Sequence, residues 1–375
     1  MLYHLFTQWL VDPAGEPLVP GANVFRYISF RTAWGIITAL AIAYLAYPWF
    51  IDFMKQQKAA QIIRDDGPES HLLNKIGTPT LGGVPMIGAV LLSALLWARL
   101  DNPAVWAVLI VMLGYGAIGF VDDWLKLTKK SSAGLAGRLK IVGQLAIGGG
   151  VLAWGWWAGF VEPTLAIPFF KEGTIDFAAL WSGAPDLSVL YWLFALFVLV
   201  AASNGVNLTD GLDGLAIGPV MTSAATYGLL AYLAGHATFA EYLGIPYVQY
   251  SAELTVVSMA VVGVGLGFLW YNAYPASIFM GDVGALALGG ALGMIAVLTK
   301  NEILFALVGG IFVLETLSVI IQVVSFKTTG KRVFEMAPIH HHYEKKGWSE
   351  PKIIVRFWII SVILALVALS TLKLR

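Results

Sequence analysis

The sequence predicts an all-α, polytopic integral membrane protein of about ten transmembrane helices. It forms one membrane domain over residues 1–375, with both termini outside the cytoplasm. Three observations carry that expectation. Of 375 residues, 58% are hydrophobic and only 12% charged, whereas soluble domains carry roughly a quarter charged residues and under half apolar ones. Uncharged runs of about 20 residues, the length a bilayer core requires, recur along almost the whole chain. Forty glycines in so apolar a chain suit helices that pack closely within lipid.

The spans fall near 33–51, 77–98, 102–121, 141–160, 187–206, 214–235, 254–272, 283–299, 303–325 and 354–372. The ninth contains one carboxylate, Glu315; the tenth is short and begins beside Arg356. Few stretches alternate as strands do, which excludes a transmembrane barrel. The N-terminus lacks a basic stretch before an apolar core, so no cleavable signal is expected. Segment 162–186 suits a small hairpin or loop on the outer side. No internal repeat or low-complexity stretch divides the chain.

Orientation follows the Lys/Arg count of the flanks. Segments 52–75, 122–140 and 326–356 hold 4, 5 and 7 basic residues, so they carry 16 of the 23 and face the cytoplasm. Lys+Arg and Asp+Glu balance at 23 each, so no basic excess points to nucleic acid. The absence of cysteine excludes a disulfide scaffold and cysteine-ligated metal centres.

That sidedness gathers the unusual polar residues on the inner face. Asp122 and Asp123 in FVDDWLK close the third helix, and Asn204, Asn207, Asp210 and Asp213 in SNGVNLTDGLDG join helices five and six. Asn272 and Asp282 in YNAYPASIFMGD join helices seven and eight. His340, His341 and His342 in APIHHHYE lie in the loop before helix ten. Carboxylates at a membrane boundary are costly and usually functional, and the two connections 204–213 and 272–282 contain no Lys or Arg. Something positive should come to them: a metal ion, or Lys126, Lys129, Lys130 and Arg138. Magnesium is the economical choice, since it prefers oxygen ligands and is commonly held by one or two carboxylates together with substrate phosphates. In KIGTPTLGG, Lys75 suits a phosphate, Thr78 and Thr80 offer hydroxyls, and the glycines permit close backbone approach.

Plainer roles account for part of this pattern. A solvated helix end explains one aspartate of Asp122–Asp123, but adjacent side chains point about 100° apart, so one partner does not satisfy both. A turn with a helix cap explains one aspartate of NLTDGLDG, and Asp282 suits a cap of helix eight. Consecutive histidines diverge, which disfavours zinc and favours substrate contact. Glu315 and Gln322 share a face of helix nine; Glu315 reads as a buried hydrogen-bonding residue and Gln322 as within reach of a ligand. His4, His71 and His236 read as surface residues, and Trp154, Trp156 and Trp157 as an interfacial belt.

Taken in order, KIGTPTLGG, FVDDWLK, NLTDGLDG, the YNA…FMGD pair and APIHHHYE resemble the polyprenyl-phosphate N-acetylhexosamine-1-phosphate transferases, from about residue 25 to the C-terminus. The histidine loop favours the muramoyl branch of that family. The resemblance implies a magnesium-dependent homodimer in the bacterial cytoplasmic membrane. Its donor is UDP-MurNAc-pentapeptide, its lipid acceptor undecaprenyl phosphate. It implies catalytic roles for Asp122, Asp123, Asp282 and His340, with Asp282 as metal ligand. Substrate binding falls to Lys75, Thr80, Lys126, Arg138, Asn207, Asp210, Asp213, Asn272, Phe279, Gln322 and His341. Two other readings stay open at this point: the sister branch that transfers GlcNAc-1-phosphate, and an ion-coupled transporter. Transporters usually place their coupling groups near the midplane, which the one-sided aspartates do not match. An intramembrane aspartyl protease leaves the histidines without a role.

Overall fold

The computed structural model describes residues 1–12, 16–57, 77–129, 134–170, 173–180 and 185–373. Each expected span is a helix. They are α1 Ile28–Gln56, α2 Gly83–Trp97, α3 Pro103–Lys129, α4 Gly137–Trp157, α5 Ser188–Thr209, α6 Ile217–Ala234, α7 Leu254–Asn272, α8 Gly281–Leu298, α9 Gly310–Thr329 and α10 Glu350–Ser370. Eight of these are long and apolar enough to cross a membrane. The other two are α2, with 15 residues, and α4, whose first turn carries Arg138 and Lys140. The hairpin expected in 162–186 is present as β1 Thr164–Ala166 paired antiparallel with β2 Thr174–Asp176.

Helix ends depart from the apolar runs where a charge finds a partner. Helix α1 starts five residues before the expected boundary and includes Arg31, which is 1% exposed. Its guanidinium donates two hydrogen bonds of 2.6 Å to Glu253 and a third to the Trp97 carbonyl. A neutralised charge need not end a span. Helix α10 likewise begins upstream of its apolar run, and the Arg356 guanidinium lies 4.3 Å from the centre of the Trp348 ring. The expected ninth span is divided at Gly309 into a short helix, Phe305–Val308, and α9.

At the centre stands α8, whose every residue from Val283 to Leu298 is buried; a helix apolar on all sides belongs inside a bundle. Small residues let its neighbours approach. A Cβ on Gly289 would lie 2.6 Å from the Ala202 carbonyl of α5, and one on Gly83 of α2 would lie 2.0 Å from the Gly284 nitrogen. Such contacts are what glycine offers in lipid, where packing replaces the hydrophobic effect between helices.

At the end of the bundle opposite the Asp282 terminus of α8, Lys300 is buried. It donates to the Tyr191 hydroxyl at 2.9 Å, which donates to Glu302 at 2.7 Å. Burial pushes the Glu302 carboxyl up to about 7 and the Lys300 ammonium down to about 8. His4, expected at the surface, accepts the Leu100 N–H at 3.1 Å and lies 3.7 Å from Asp101. His236 is exposed as expected, and His71 lies outside the described residues.

Candidate active site: a carboxylate and lysine cluster

Asp122, Asp123 and Asp282 converge, with one carboxylate oxygen from each lying within 4.8 Å of the others. They are separated by up to 160 residues and come together because α3 ends where α8 begins. Gly119 makes that meeting possible: a Cβ there would lie 2.3 Å from the Asp282 carbonyl. The two adjacent aspartates of α3 share Lys126 and differ in their other partners, so one cation reaches both despite their angular separation. Asp122 is 1% exposed; it accepts the Leu135 N–H at 2.6 Å and lies 2.5 Å from Lys126 and 3.0 Å from Lys140. Asp123 accepts the Val283 N–H of α8 at 3.2 Å and meets Lys126 at 3.2 Å.

Asp282 does not cap α8. The capping position is Met280, and the Asp282 carboxylate instead meets Lys140 at 2.6 Å and Lys126 at 3.4 Å. Its side chain is 16% exposed against 1% and 5% for Asp122 and Asp123, so it is the most accessible of the three. Gly281 precedes it with φ +73°, and a Cβ there would lie 2.5 Å from Asp123 and 3.0 Å from the Thr80 hydroxyl. Thr80 is thereby adjacent to the cluster, and it is buried.

The remaining motifs close around the same end of the bundle. In the described part of KIGTPTLGG, Gly82 and Gly83 donate backbone hydrogen bonds to Phe279 and Met280, and Phe279 donates to Pro79. Those glycines serve the approach of one chain segment to another. Asp213 accepts the Ala276 N–H at 2.9 Å, and its own N–H donates to Glu350 at 2.8 Å. Asn272 is buried and donates to the Ile278 carbonyl. Helix α5 runs on to Thr209, so Asn204 and Asn207 sit in its last turns, with Asp210 following. Phe279 is half-buried beside the cluster's α8 terminus. Gln322 spends both ends of its amide on the 333–334 backbone. Lys75 lies outside the described residues, and Arg138 is exposed.

The histidines occupy a short helix, Ile339–Lys345, rather than a loop. They diverge, as consecutive positions must. His340 is 1% exposed and its Nδ1 lies 3.1 Å from Glu315, itself fully buried. His341 meets Glu344 at 2.6 Å, and His342 accepts the Glu335 N–H. The His340 Nε2 faces the NLTDGLDG turn, where a Cβ on Gly211 would collide with it. Three ligands of one zinc ion they are not.

The residue missed at the sequence level is Lys140. Its signal was helical phase: Lys140 lies one turn before Gln144, the fully buried glutamine that bonds Ser203 and Asn204 of α5. Arg138, two positions earlier, is turned about 200° away.

The chemistry of this donor set suits a divalent ion. Three hard carboxylate ligands converge, and the two ammonium groups resting on them mark where positive charge is favoured.

Residues 105–300 match the glycosyl transferase family 4, a stretch that begins in α3 and contains all three aspartates. The chain is 54% identical, over 375 residues covering the whole of both proteins, to the phospho-N-acetylmuramoyl-pentapeptide-transferase of Pelobacter propionicus. With its polytopic helical fold and its aspartates in the matched segment, the chain belongs to glycosyl transferase family 4.

Proposed function

We propose that this chain transfers phospho-N-acetylmuramoyl-pentapeptide from UDP-MurNAc-pentapeptide to undecaprenyl phosphate, giving lipid I and UMP in peptidoglycan synthesis. The observation that carries this reading is the 54% identity over full length to an enzyme of that name. The carboxylate and lysine cluster supplies chemistry that suits it. The reading places one transferase domain in the bacterial cytoplasmic membrane as a homodimer, with both termini outside and the cluster facing the cytoplasm. A soluble nucleotide and a lipid phosphate meet at that interface.

Phosphoryl transfer depends on positioning and charge neutralisation more than on covalent help from the protein. Asp282, the most accessible carboxylate, is the residue we assign to magnesium, with Asp122 and Asp123 beside it. The chemistry a bound magnesium ion supplies is neutralisation of the diphosphate and of the leaving UMP. Lys126 and Lys140 bring two further positive charges to the same place. Asp122, committed to Leu135, Lys126 and Lys140, orients these groups. In this reading the lipid phosphate attacks directly, and a monoester's second pKa of about 6 leaves little proton to remove near neutrality, so little base strength is needed. Lys75, Thr80, Arg138, Asn207, Asp210, Asp213, Asn272, Phe279, Gln322 and His341 hold the donor, and His340 stabilises the transferring group.

The test is UMP release by purified protein given UDP-MurNAc-pentapeptide, polyprenyl phosphate and magnesium. Release from UDP-GlcNAc in its place would assign the sister branch. With donor but no lipid acceptor, no labelled phosphosugar should remain on the protein; an adduct on Asp122 or Asp123 would overturn direct attack.

A further inference from the structure

Helix α4 sends one side chain into the cluster, and its setting is fixed. Gln144, one turn beyond Lys140, is fully buried and bonds Ser203 at 2.9 Å and Asn204 at 2.8 Å. The Tyr115 hydroxyl donates to the Gln144 carbonyl at 2.9 Å. These bonds tie α4 to α3 and α5 and set its rotation about its own axis. Lys140 therefore points at the carboxylates, while Arg138 is left exposed.

The contacts of Lys140 are those of a bridging cation. Its Nζ lies 2.6 Å from the Asp282 Oδ2 and 3.0 Å from the Asp122 Oδ1. It spans α3 and α8 with both contacts at 3.0 Å or less, whereas Lys126 is on α3 itself, closest to its neighbours three and four residues away, and reaches the same Asp282 oxygen only at 3.4 Å. Three carboxylates confined within 4.8 Å repel one another, and a cation between them offsets that repulsion. A divalent ion ligated by Asp282 competes for the oxygen that Lys140 already holds.

We infer that Lys140 is a positioning residue that stands in for the metal: it holds Asp282 and Asp122 together when the ion is absent, and ion binding displaces it. The inference rests on the metal reading above and adds an antagonist to it. Lys140 lowers the intrinsic affinity for the ion and keeps the carboxylates gathered until the ion arrives. Its displaced ammonium is then free for the phosphates that accompany the ion.

The direction of the effect separates this role from a merely structural one. Removing the ammonium takes away a competitor and makes the cluster more negative, so Lys140→Gln should bind Mn2+ alone at least tenfold more tightly than wild type. A lysine that only shaped the site would leave binding unchanged or weaker when lost. Lys140→Arg keeps the charge and has a fork suited to carboxylates, so it should bind Mn2+ no more tightly than wild type. Free Mn2+ is read by electron paramagnetic resonance on the full chain in detergent.

A second measurement uses the wild type alone and does not depend on how the variant folds. Acylation of Lys140 by an amine-reactive reagent, followed by mass spectrometry, should speed up at least threefold when Mg2+ is added. Saturable Mn2+ binding that Lys140→Gln leaves unchanged or weakens, or an acylation rate indifferent to Mg2+, overturns the inference and leaves the metal reading standing. No saturable binding to either protein overturns both.

Discussion

Asp282→Asn should abolish turnover while leaving the fold almost as stable as before. The carboxylate is drawn by Lys140 at 2.6 Å and Lys126 at 3.4 Å, worth about 6 and 5 kcal/mol at an effective dielectric of about 20. It is opposed by Asp122 and Asp123, within 4.8 Å, at about 3.5 kcal/mol or more each. Attraction exceeds repulsion by about 4 kcal/mol on these figures. The amide recovers part of that by accepting hydrogen bonds from the same lysines, and it sheds the desolvation cost of a half-buried charge, itself several kcal/mol. The net change should be within about 2 kcal/mol, a shift of a few degrees in Tm. Catalysis has no such compensation. Loss of the ligand that neutralises the leaving diphosphate should lower kcat about 10³-fold or more, roughly 4 kcal/mol. UMP release and thermal unfolding are measured on the same preparation. Retention of more than a tenth of wild-type turnover refutes the ligand assignment, and a fall of more than about 10 °C in Tm refutes the near-cancellation of charges.

Gly281→Ala places a Cβ 2.5 Å from Asp123 on a backbone with φ +73°, so it should cut turnover by about 10²-fold or more and lower stability beyond the roughly 1–2 kcal/mol of left-handed strain. Gly330→Ala, at φ +69° with nothing within 4 Å, should show the strain alone; equal activities for the two would refute the crowding. Glu253→Ala strands the buried Arg31 and should cost about 3–5 kcal/mol in thermal unfolding, with turnover per folded molecule unchanged because the pair lies at the other end of the bundle. The raised Glu302 carboxyl, at about 7, holds its proton more tightly in the folded chain. Its contribution is therefore fully present below the unfolded pKa of about 4.5 and is lost as pH rises through 7, about 3 kcal/mol in all. Glu302→Gln should flatten that decline in Tm; an identical slope in wild type and variant would refute it.

What the sequence made legible was decided by range. Ten helices, eight of them long and apolar enough to cross a membrane, were visible because a bilayer-length apolar run is a local property. The phase of Asp122 and Asp123 is local as well, but it did not show that Lys126 reaches both. The convergence of Asp282 on them was legible only through shared sidedness and motif order, since nothing within either segment encodes the other. Lys140 and Arg138 show where this stops. Both are cations in one helical turn, about 200° apart, and only one of them can face the cluster. Choosing between them requires the rotation of α4, which Gln144 sets through Ser203 and Asn204 of α5, residues about 60 positions away. The same holds for Arg31, whose membership of α1 depends on Glu253, 222 positions distant. A charge at the edge of an apolar run reads as a boundary until its counter-charge is known, and then it reads as part of the helix.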